Sequence, residues 1–166
     1  MRSHLEYGQT VWSPYKLKHI DALEAVQRRA TKILPNLKNL SDAERLRKLS
    51  LPTLTYRRIR GDMIELYKIM HGFYNSDACP KLELNLYKTR GHSYKLFKRS
   101  CTTNTRMHYF SFRVVDKWNS LPNEIVNAPS INSFKTRLDK HWACQDIVFN
   151  YRSSLLLTAV QPDRSF

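Results

Sequence analysis

The stretch that decides the fold is residues 51–72, LPTLTYRRIRGDMIELYKIMHG. Pro52 or Thr53 can begin a helix, because proline is tolerated in a first helical turn and threonine caps an N-terminus. Apolar residues then recur at steps of three and four and predict one buried helical face: Tyr56, Ile59, Met63, Leu66, Tyr67 and Met70. Gly72 suits the end of such a helix, since glycine readily adopts the left-handed conformation found there. The stretch therefore predicts a helix over about residues 53–71 that packs into a core.

The sequence on either side predicts four more helices. They cover residues 16–34, a short segment from Ser41, residues 106–120, and a segment from Ser130 to about Cys144. The first has an apolar stripe at helical spacing: Ile20, Leu23, Val26, Ala30 and Ile33. Ser41 and Glu44 form the capping-box pattern. The last buries a similar stripe: Ile131, Phe134, Leu138 and Trp142.

These elements predict a mainly α fold, a bundle of about five helices with an irregular basic segment in its middle. Alternating residues at 82–87 favour a short strand or hairpin arm in that segment. The predicted regions are 1–72, a connector at 73–105, a C-terminal helical region at 106–145 and a loose tail at 146–166. At 166 residues the chain suits a single core with a tail.

The charge balance limits the class of partner. The chain has 28 Lys and Arg against 14 Asp and Glu, a net charge of +14, and a pI of about 9.9. A compact fold with this excess repels itself unless a polyanion lies against it. Nucleic acid is the commonest such partner, and an anionic membrane surface is the next; the alternative is a soluble protein that happens to be basic.

The charge is concentrated between Lys81 and Arg113, which include eight Lys and Arg but one acid, Glu83. Six aromatic residues are interleaved with them: Tyr87, Tyr94, Phe97, Tyr109, Phe110 and Phe112. This pattern is typical of a surface that contacts phosphates and stacks bases, although basic loops around a structural core give the same pattern. Three arginines, Arg57, Arg58 and Arg60, lie near a helix N-terminus, where positive charge is unfavourable. This placement suggests a contact, although a solvated helix face is the plainer interpretation.

The residues needed for catalysis are not grouped in the sequence. No two acids are adjacent, and they are expected to pair within helices, Arg58 with Asp62 and Lys135 with Asp139. The cysteines are three scattered residues without a CxxC pair, which argues against a zinc site and favours a reducing compartment. His92, His141 and Cys101 have no partner in the sequence that would activate them. We expect a soluble intracellular protein, nuclear or cytoplasmic, without a membrane span or a complete active site.

A series of short motifs runs through roughly residues 5–142 in a specific order. They are LEYG at 5–8, VWSP at 11–14, LE at 23–24, VQRRATK at 26–32, ERL at 44–46, LPTL at 51–54, YRRIRGDM at 56–63, TRGH at 89–92, FRVV at 112–115, WNSLP at 118–122, SFK at 133–135 and LD at 138–139. In this order they resemble the region after the catalytic palm of LINE-class non-LTR retrotransposon reverse transcriptases, and the jockey-like group in particular.

The resemblance implies a C-terminal fragment of an RNA-directed DNA polymerase, with helices 16–34 and 53–71 as a thumb that grips the template–primer duplex. The catalytic aspartates and their Mg²⁺ would belong to a palm that this chain lacks, so no cofactor is expected here. The implied partners are RNA or DNA, as an RNA–DNA hybrid or duplex backbone, and the palm of the parent protein.

The predicted nucleic-acid-binding residues combine these observations. They are Arg28, Arg29, Lys32, Arg57, Arg58, Arg60, Lys88, Arg90, His92, Lys95, Lys98 and Arg99. Two other hypotheses remain: a domesticated helical interaction module that binds an acidic protein, and part of an active reverse transcriptase whose palm is encoded upstream of Met1.

Overall fold

The chain is mainly helical. A computed structural model describes residues 2–75, 77, 79–85 and 91–157. Its helices are α1 (Arg2–Glu6), α2 (Leu17–Lys32), α3 (Asp42–Lys48), α4 (Leu54–Met70), α5 (Asn104–Met107), α6 (Phe110–Arg113), α7 (Val115–Asn119), α8 (Asn123–Val126) and α9 (Ile131–Trp142). Short 3-10 turns lie at Pro35–Leu37 and Asp146–Val148. The mainly α fold predicted from the sequence is confirmed.

Helix α4 is the centre of the core. Its residues Met63, Leu66 and Tyr67 are almost completely buried, and they belong to one apolar cluster with Trp118 of α7 and Phe134 of α9. The rings of Tyr67 and Phe134 stack with their centroids 4.4 Å apart. Because α4 and α9 share this cluster, the predicted N-terminal and C-terminal helical regions form one core and not two.

Local capping explains where the long helices begin and end. The Thr53 hydroxyl accepts a hydrogen bond from the Tyr56 amide at the start of α4, and the Ser130 hydroxyl accepts one from Ser133 at the start of α9. Gly72 follows α4 with φ +70°, a conformation in which other residues are strained. At α3 the Ser41–Glu44 capping box is complete in both directions. These predicted boundaries are therefore confirmed.

Replacing Ser41 by alanine should lower the free energy of unfolding by about 1 kcal/mol, because an amide at the α3 N-terminus loses its acceptor. Equilibrium unfolding in urea measures this change. The matched control is Ser100→Ala, since Ser100 is exposed and its side chain forms no hydrogen bond with the other described residues. Equal stabilities for the two variants would contradict the structural role of the capping box.

Helix α2 has a different buried face from the one predicted. Its buried residues are polar, namely Glu24, Gln27 and Thr31, whereas Ile33 of the predicted apolar stripe is 80% exposed. Glu24 accepts hydrogen bonds from the amide and the hydroxyl of Thr55, at 2.8 and 2.9 Å. Gln27 donates to the Pro52 carbonyl at 3.1 Å. Polar bonds to the start of α4 therefore hold α2 in place, and its apolar residues are half-buried or exposed.

The helix predicted over 106–120 is interrupted. Tyr109 is extended (φ −65°, ψ 152°), and its carbonyl accepts hydrogen bonds from the amides of Phe112 and Arg113. The backbone thus ends α5 and begins α6 within one predicted element. Val114 keeps helical angles between α6 and α7, so the chain bends there without leaving the helical conformation.

The middle segment is irregular, as predicted. In place of a strand at 82–87, the described residues form an isolated antiparallel bridge between Leu84 and Leu96, and residues 86 and 87 lie outside the described part. Leu96 is 1% exposed, and its amide donates to the side chain of Asn119 at 2.8 Å. This anchors the segment to α7.

The described part of the predicted tail is packed against the helices, so the loose tail does not begin at residue 146. The amide of Thr53 donates to the Val148 carbonyl at 2.9 Å, and the Thr53 hydroxyl donates to the Ile147 carbonyl at 2.7 Å. Ile147 is 2% exposed. These bonds bring residues 147–152 beside α2 and α3, and this position forms one wall of the site described below.

Candidate nucleic-acid interface

The three arginines of α4 are bound to other parts of the protein. Arg57 forms a two-point ion pair with Glu6, and Arg60 forms one with Asp139. Arg58 is 4% exposed; it donates to the Leu5 carbonyl at 3.1 Å and lies over the Trp12 ring. The predicted role of Arg58 in binding is therefore wrong for this fold, since its side chain is covered. Arg57 and Arg60 are half-buried, and both are already paired with a carboxylate.

The acids that were expected to pair within helices pair across the fold. Asp62 accepts hydrogen bonds from Arg113 at 2.8 and 2.9 Å, and its predicted partner Arg58 makes other bonds. Asp139 pairs with Arg60 on α4 in place of Lys135. These ion pairs connect α4 to α6 and α9, and they therefore have a structural role.

His92 is a core residue. It is 3% exposed, its ring meets the Trp118 ring edge to face, and its Nε2 lies 3.0 Å from the Trp118 carbonyl. Since a carbonyl can only accept, Nε2 donates this bond, and Nδ1 is buried without a hydrogen-bond partner among the described residues. Burial lowers the pKa of His92 below its usual value of 6.5. The prediction that His92 contacts phosphate is wrong for this fold.

Acid should therefore destabilise the protein through His92. The unfolded chain takes up a proton near pH 6.5 and the folded protein takes it up only at a lower pH, so the free energy of unfolding falls as the pH decreases below 6.5. One such site contributes at most about 1.4 kcal/mol per pH unit. His71 and His141 have pKa values lowered by burial and add to the effect. Urea unfolding at pH 7.5 and pH 5, about one unit above and 1.5 units below the histidine pKa of the unfolded chain, measures this loss of stability.

The variant His92→Gln retains a hydrogen-bond donor and does not titrate, so its unfolding free energy should depend less on pH than that of the wild type. An unchanged pH dependence would show that His92 does not titrate differently in the folded and unfolded states.

Much of the positive charge between residues 81 and 113 is compensated. Lys98 pairs with Asp116 at 2.7 Å, Arg99 with Glu83, and Arg113 with Asp62. Lys95 is half-buried. Two predicted residues of this stretch, Lys88 and Arg90, lie outside the described residues. The described part of the stretch is thus less cationic on its surface than its composition suggests.

Uncompensated charge is found instead on the outer face of α2. Lys18, Arg29 and Lys32 are exposed, and their side chains form no hydrogen bond or ion pair with another described residue. Lys18 and Arg29 are three helical turns apart and so point in the same direction, with Lys32 close beside that line. We call these three residues the α2 stripe. It is about 21 Å long, close to the axial length of about six nucleotides of one duplex strand.

A shallow basic cleft adjoins the C-terminal end of the stripe. It has a volume of about 490 Å³, and its walls come from α2, the turn before α3 and the C-terminal segment. Four cations form these walls: Arg28, Lys32, Lys38 and Arg152. Lys32 belongs to both the cleft and the stripe, so the two form a continuous cationic surface.

The floor of the cleft is formed by a buried arginine that is hydrogen-bonded to α2 and α3. Arg45 of α3 is 2% exposed; it donates to Thr31 of α2 at 3.3 Å and pairs with Asp42 at 3.0 Å. Asp42 also lies 3.6 Å from Arg28. Of the residues that the structure describes, it is the single carboxylate that lines the cleft, against five cations. This arrangement suits the binding of a phosphate group.

The structure brings together three of the residues predicted from the sequence, Arg28, Arg29 and Lys32. The sequence prediction missed Lys18, Lys38, Tyr151 and Arg152. The spacing of eleven residues between Lys18 and Arg29 was a usable signal, because it corresponds to three helical turns. No signal in the sequence connects Lys38 with Arg152, since their proximity depends on the docking of residues 147–152.

Among the described residues no group of three or more His, Cys, Asp or Glu is placed to hold a metal ion, and no helix is long and apolar enough to cross a membrane. No protein-family model, curated protein or solved structure matches this chain.

Proposed function

We propose that this protein binds nucleic acid through the phosphate backbone, with the α2 stripe and the basic cleft as its contact surface. The observation that supports the proposal most strongly is the α2 stripe itself, three exposed cations on one face of a helix that have no ion-pair partner in the described part of the chain. Cations that contact phosphates carry no information about base sequence, so binding should be tolerant of sequence.

The family proposed for the chain is that of the LINE-class reverse transcriptases, to whose post-palm region its ordered motifs are similar. In that setting the ligand is an RNA–DNA hybrid or another duplex, and the surface acts as part of the thumb. Catalysis and Mg²⁺ binding are assigned to the palm of the parent protein and to no residue of this chain.

The test is the affinity for a blunt RNA–DNA hybrid, measured by fluorescence anisotropy between about 50 and 200 mM salt. Six cations, namely those of the stripe and of the cleft walls without the buried Arg45, predict a slope of log Kobs against log salt of about −5, and thus a loss of about 10³-fold over this range. An affinity that does not respond to salt, or no binding at the lowest salt, would refute the proposal.

A second candidate is an interaction module that binds an acidic protein. It is favoured by large apolar side chains exposed at both ends of α2 and in the segment before it: Tyr7, Val11, Leu17 and Ile33, all at least 75% exposed. Such a surface should bind a hydrophobic dye and promote self-association. A monomeric protein that binds the hybrid but no dye would favour nucleic-acid binding.

A further inference from the structure

The basic cleft differs from the α2 stripe in shape, and this difference carries a further inference. On the stripe the cations follow a line, as the phosphates of one strand do. In the cleft four cations and the buried Arg45 surround one concave space. A continuous duplex can lie along the first surface, whereas the second is a concave space that suits a compact anion such as the phosphate at a strand end.

The hydroxyl of Tyr151 lies between two arginines at the wall of the cleft. It accepts a hydrogen bond from Arg28 Nη2 at 3.1 Å and another from Arg152 Nε at 3.2 Å. Both guanidinium groups also lie over the Tyr151 ring, 5.7 and 5.6 Å from its centroid. The phenol thus holds the two arginines together although like charges repel.

The arginines retain hydrogen-bond donors for a ligand. A guanidinium has five N–H groups. Arg28 uses donors on Tyr151 and faces Asp42 at 3.6 Å, and Arg152 faces Asp21 at 3.9 Å. The other two wall residues, Lys32 and Lys38, have exposed side chains without a described partner. Two carboxylates therefore offset five cations, and the cleft remains strongly positive.

A phosphate monoester is the anion that fits this arrangement best. At neutral pH it carries a charge of about −1.5 to −2 on three terminal oxygens, whereas a backbone diester carries one charge on two. Convergent cations favour the compact, more highly charged group, and bidentate contacts from arginine increase the preference.

We propose that the basic cleft binds a terminal phosphate monoester of a nucleic-acid strand, with Lys38 and Arg152 as its principal contacts. The proposal rests on the nucleic-acid binding proposed above and adds that the protein recognises strand ends. Free inorganic phosphate offers the same anionic group, and the experiment distinguishes binding of a strand-end phosphate from binding of free phosphate.

The experiment compares one blunt RNA–DNA hybrid with a 5′-phosphate or a 5′-hydroxyl on its DNA strand, at about 0.1 M salt. The wild type should bind the phosphorylated hybrid about tenfold more tightly, an effect typical of charge-assisted hydrogen bonds. The double variant Lys38→Gln, Arg152→Gln should lose this preference. The charge-matched control Lys135→Gln, Lys140→Gln on α9 should keep it. Thermal unfolding by circular dichroism checks that both variants are folded.

Inorganic phosphate tests whether the cleft binds free phosphate instead of a strand end. If the cleft recognises strand ends, excess phosphate should reduce the preference while the hydroxyl-ended hybrid still binds; phosphate binding without any preference between hybrids would overturn the proposal. Equal binding of both hybrids by the wild type, or a preference that survives in the Lys38, Arg152 variant, would also overturn it and leave the proposed function standing. Failure to bind either hybrid would refute the proposed function as well.

Discussion

Replacing Arg113 by methionine should lower the free energy of unfolding by about 3–5 kcal/mol at neutral pH, because Asp62 is then left buried without a partner. Asp62 is 5% exposed, and Arg113 is its ion-pair partner. Arg113 also donates to the carbonyls of Gln9 and Thr10, so the variant loses the bonds that fasten the N-terminal segment to α6. Urea unfolding measures the loss.

The stability of the Arg113→Met variant should also depend on pH in a characteristic way. Burial already raises the pKa of Asp62 although Arg113 lies beside it, and without Arg113 the pKa should rise further. A carboxyl whose folded pKa is raised is stabilised by protonation, so the defect should shrink as the pH falls toward 4 (about the unfolded pKa). The double variant Asp62→Leu, Arg113→Met removes both charges and should be more stable than Arg113→Met alone. A double variant that is less stable would contradict this account of the pair.

Replacing all three residues of the α2 stripe by glutamine should weaken binding of an RNA–DNA hybrid a few hundred-fold at about 0.1 M salt. The variant makes three fewer phosphate contacts, so its binding releases fewer counterions. The slope of log Kobs against log salt should therefore become less steep by about 3. The substitutions are Lys18→Gln, Arg29→Gln and Lys32→Gln. Stability should change little, since these exposed side chains form no hydrogen bond or ion pair with a described residue.

The matched control removes the same charge elsewhere, by Lys81→Gln, Lys135→Gln and Lys140→Gln. It should reduce affinity far less, because these lysines lie outside the stripe and the cleft. If both triple variants lose affinity equally, binding depends on the net charge of the protein and not on the α2 stripe.

Much of the fold was predictable because its determinants are local. The Ser41–Glu44 box, the Thr53 and Ser130 caps and Gly72 each act within a few residues, so sequence spacing is enough to place them. The buried face of α2 was not predictable in the same way. Glu24 and Gln27 are buried because they bond to residues 52–55, and hydrophobic periodicity has no means of indicating a polar partner elsewhere in the chain.

The site was less predictable than the fold, since pairing depends on tertiary structure. Arg57 and Arg60 on α4 are the same residue type as Arg29 on α2 and have similar local sequence. They differ because Glu6 and Asp139, 51 and 79 residues away, reach them in the folded protein. The number of charged residues showed that the protein is basic. Only the fold distinguishes the cations that pair with other residues of the protein from those that stay exposed.

The location of the binding surface is the central claim, and lysine footprinting tests it most directly. The protein is acetylated briefly with and without the RNA–DNA hybrid at low salt, and modification at each lysine is quantified by mass spectrometry. We predict that the hybrid protects Lys18, Lys32 and Lys38, while Lys81, Lys135 and Lys140 react as in the free protein. Protection of the second set without the first would contradict the account and place the nucleic acid on a different face.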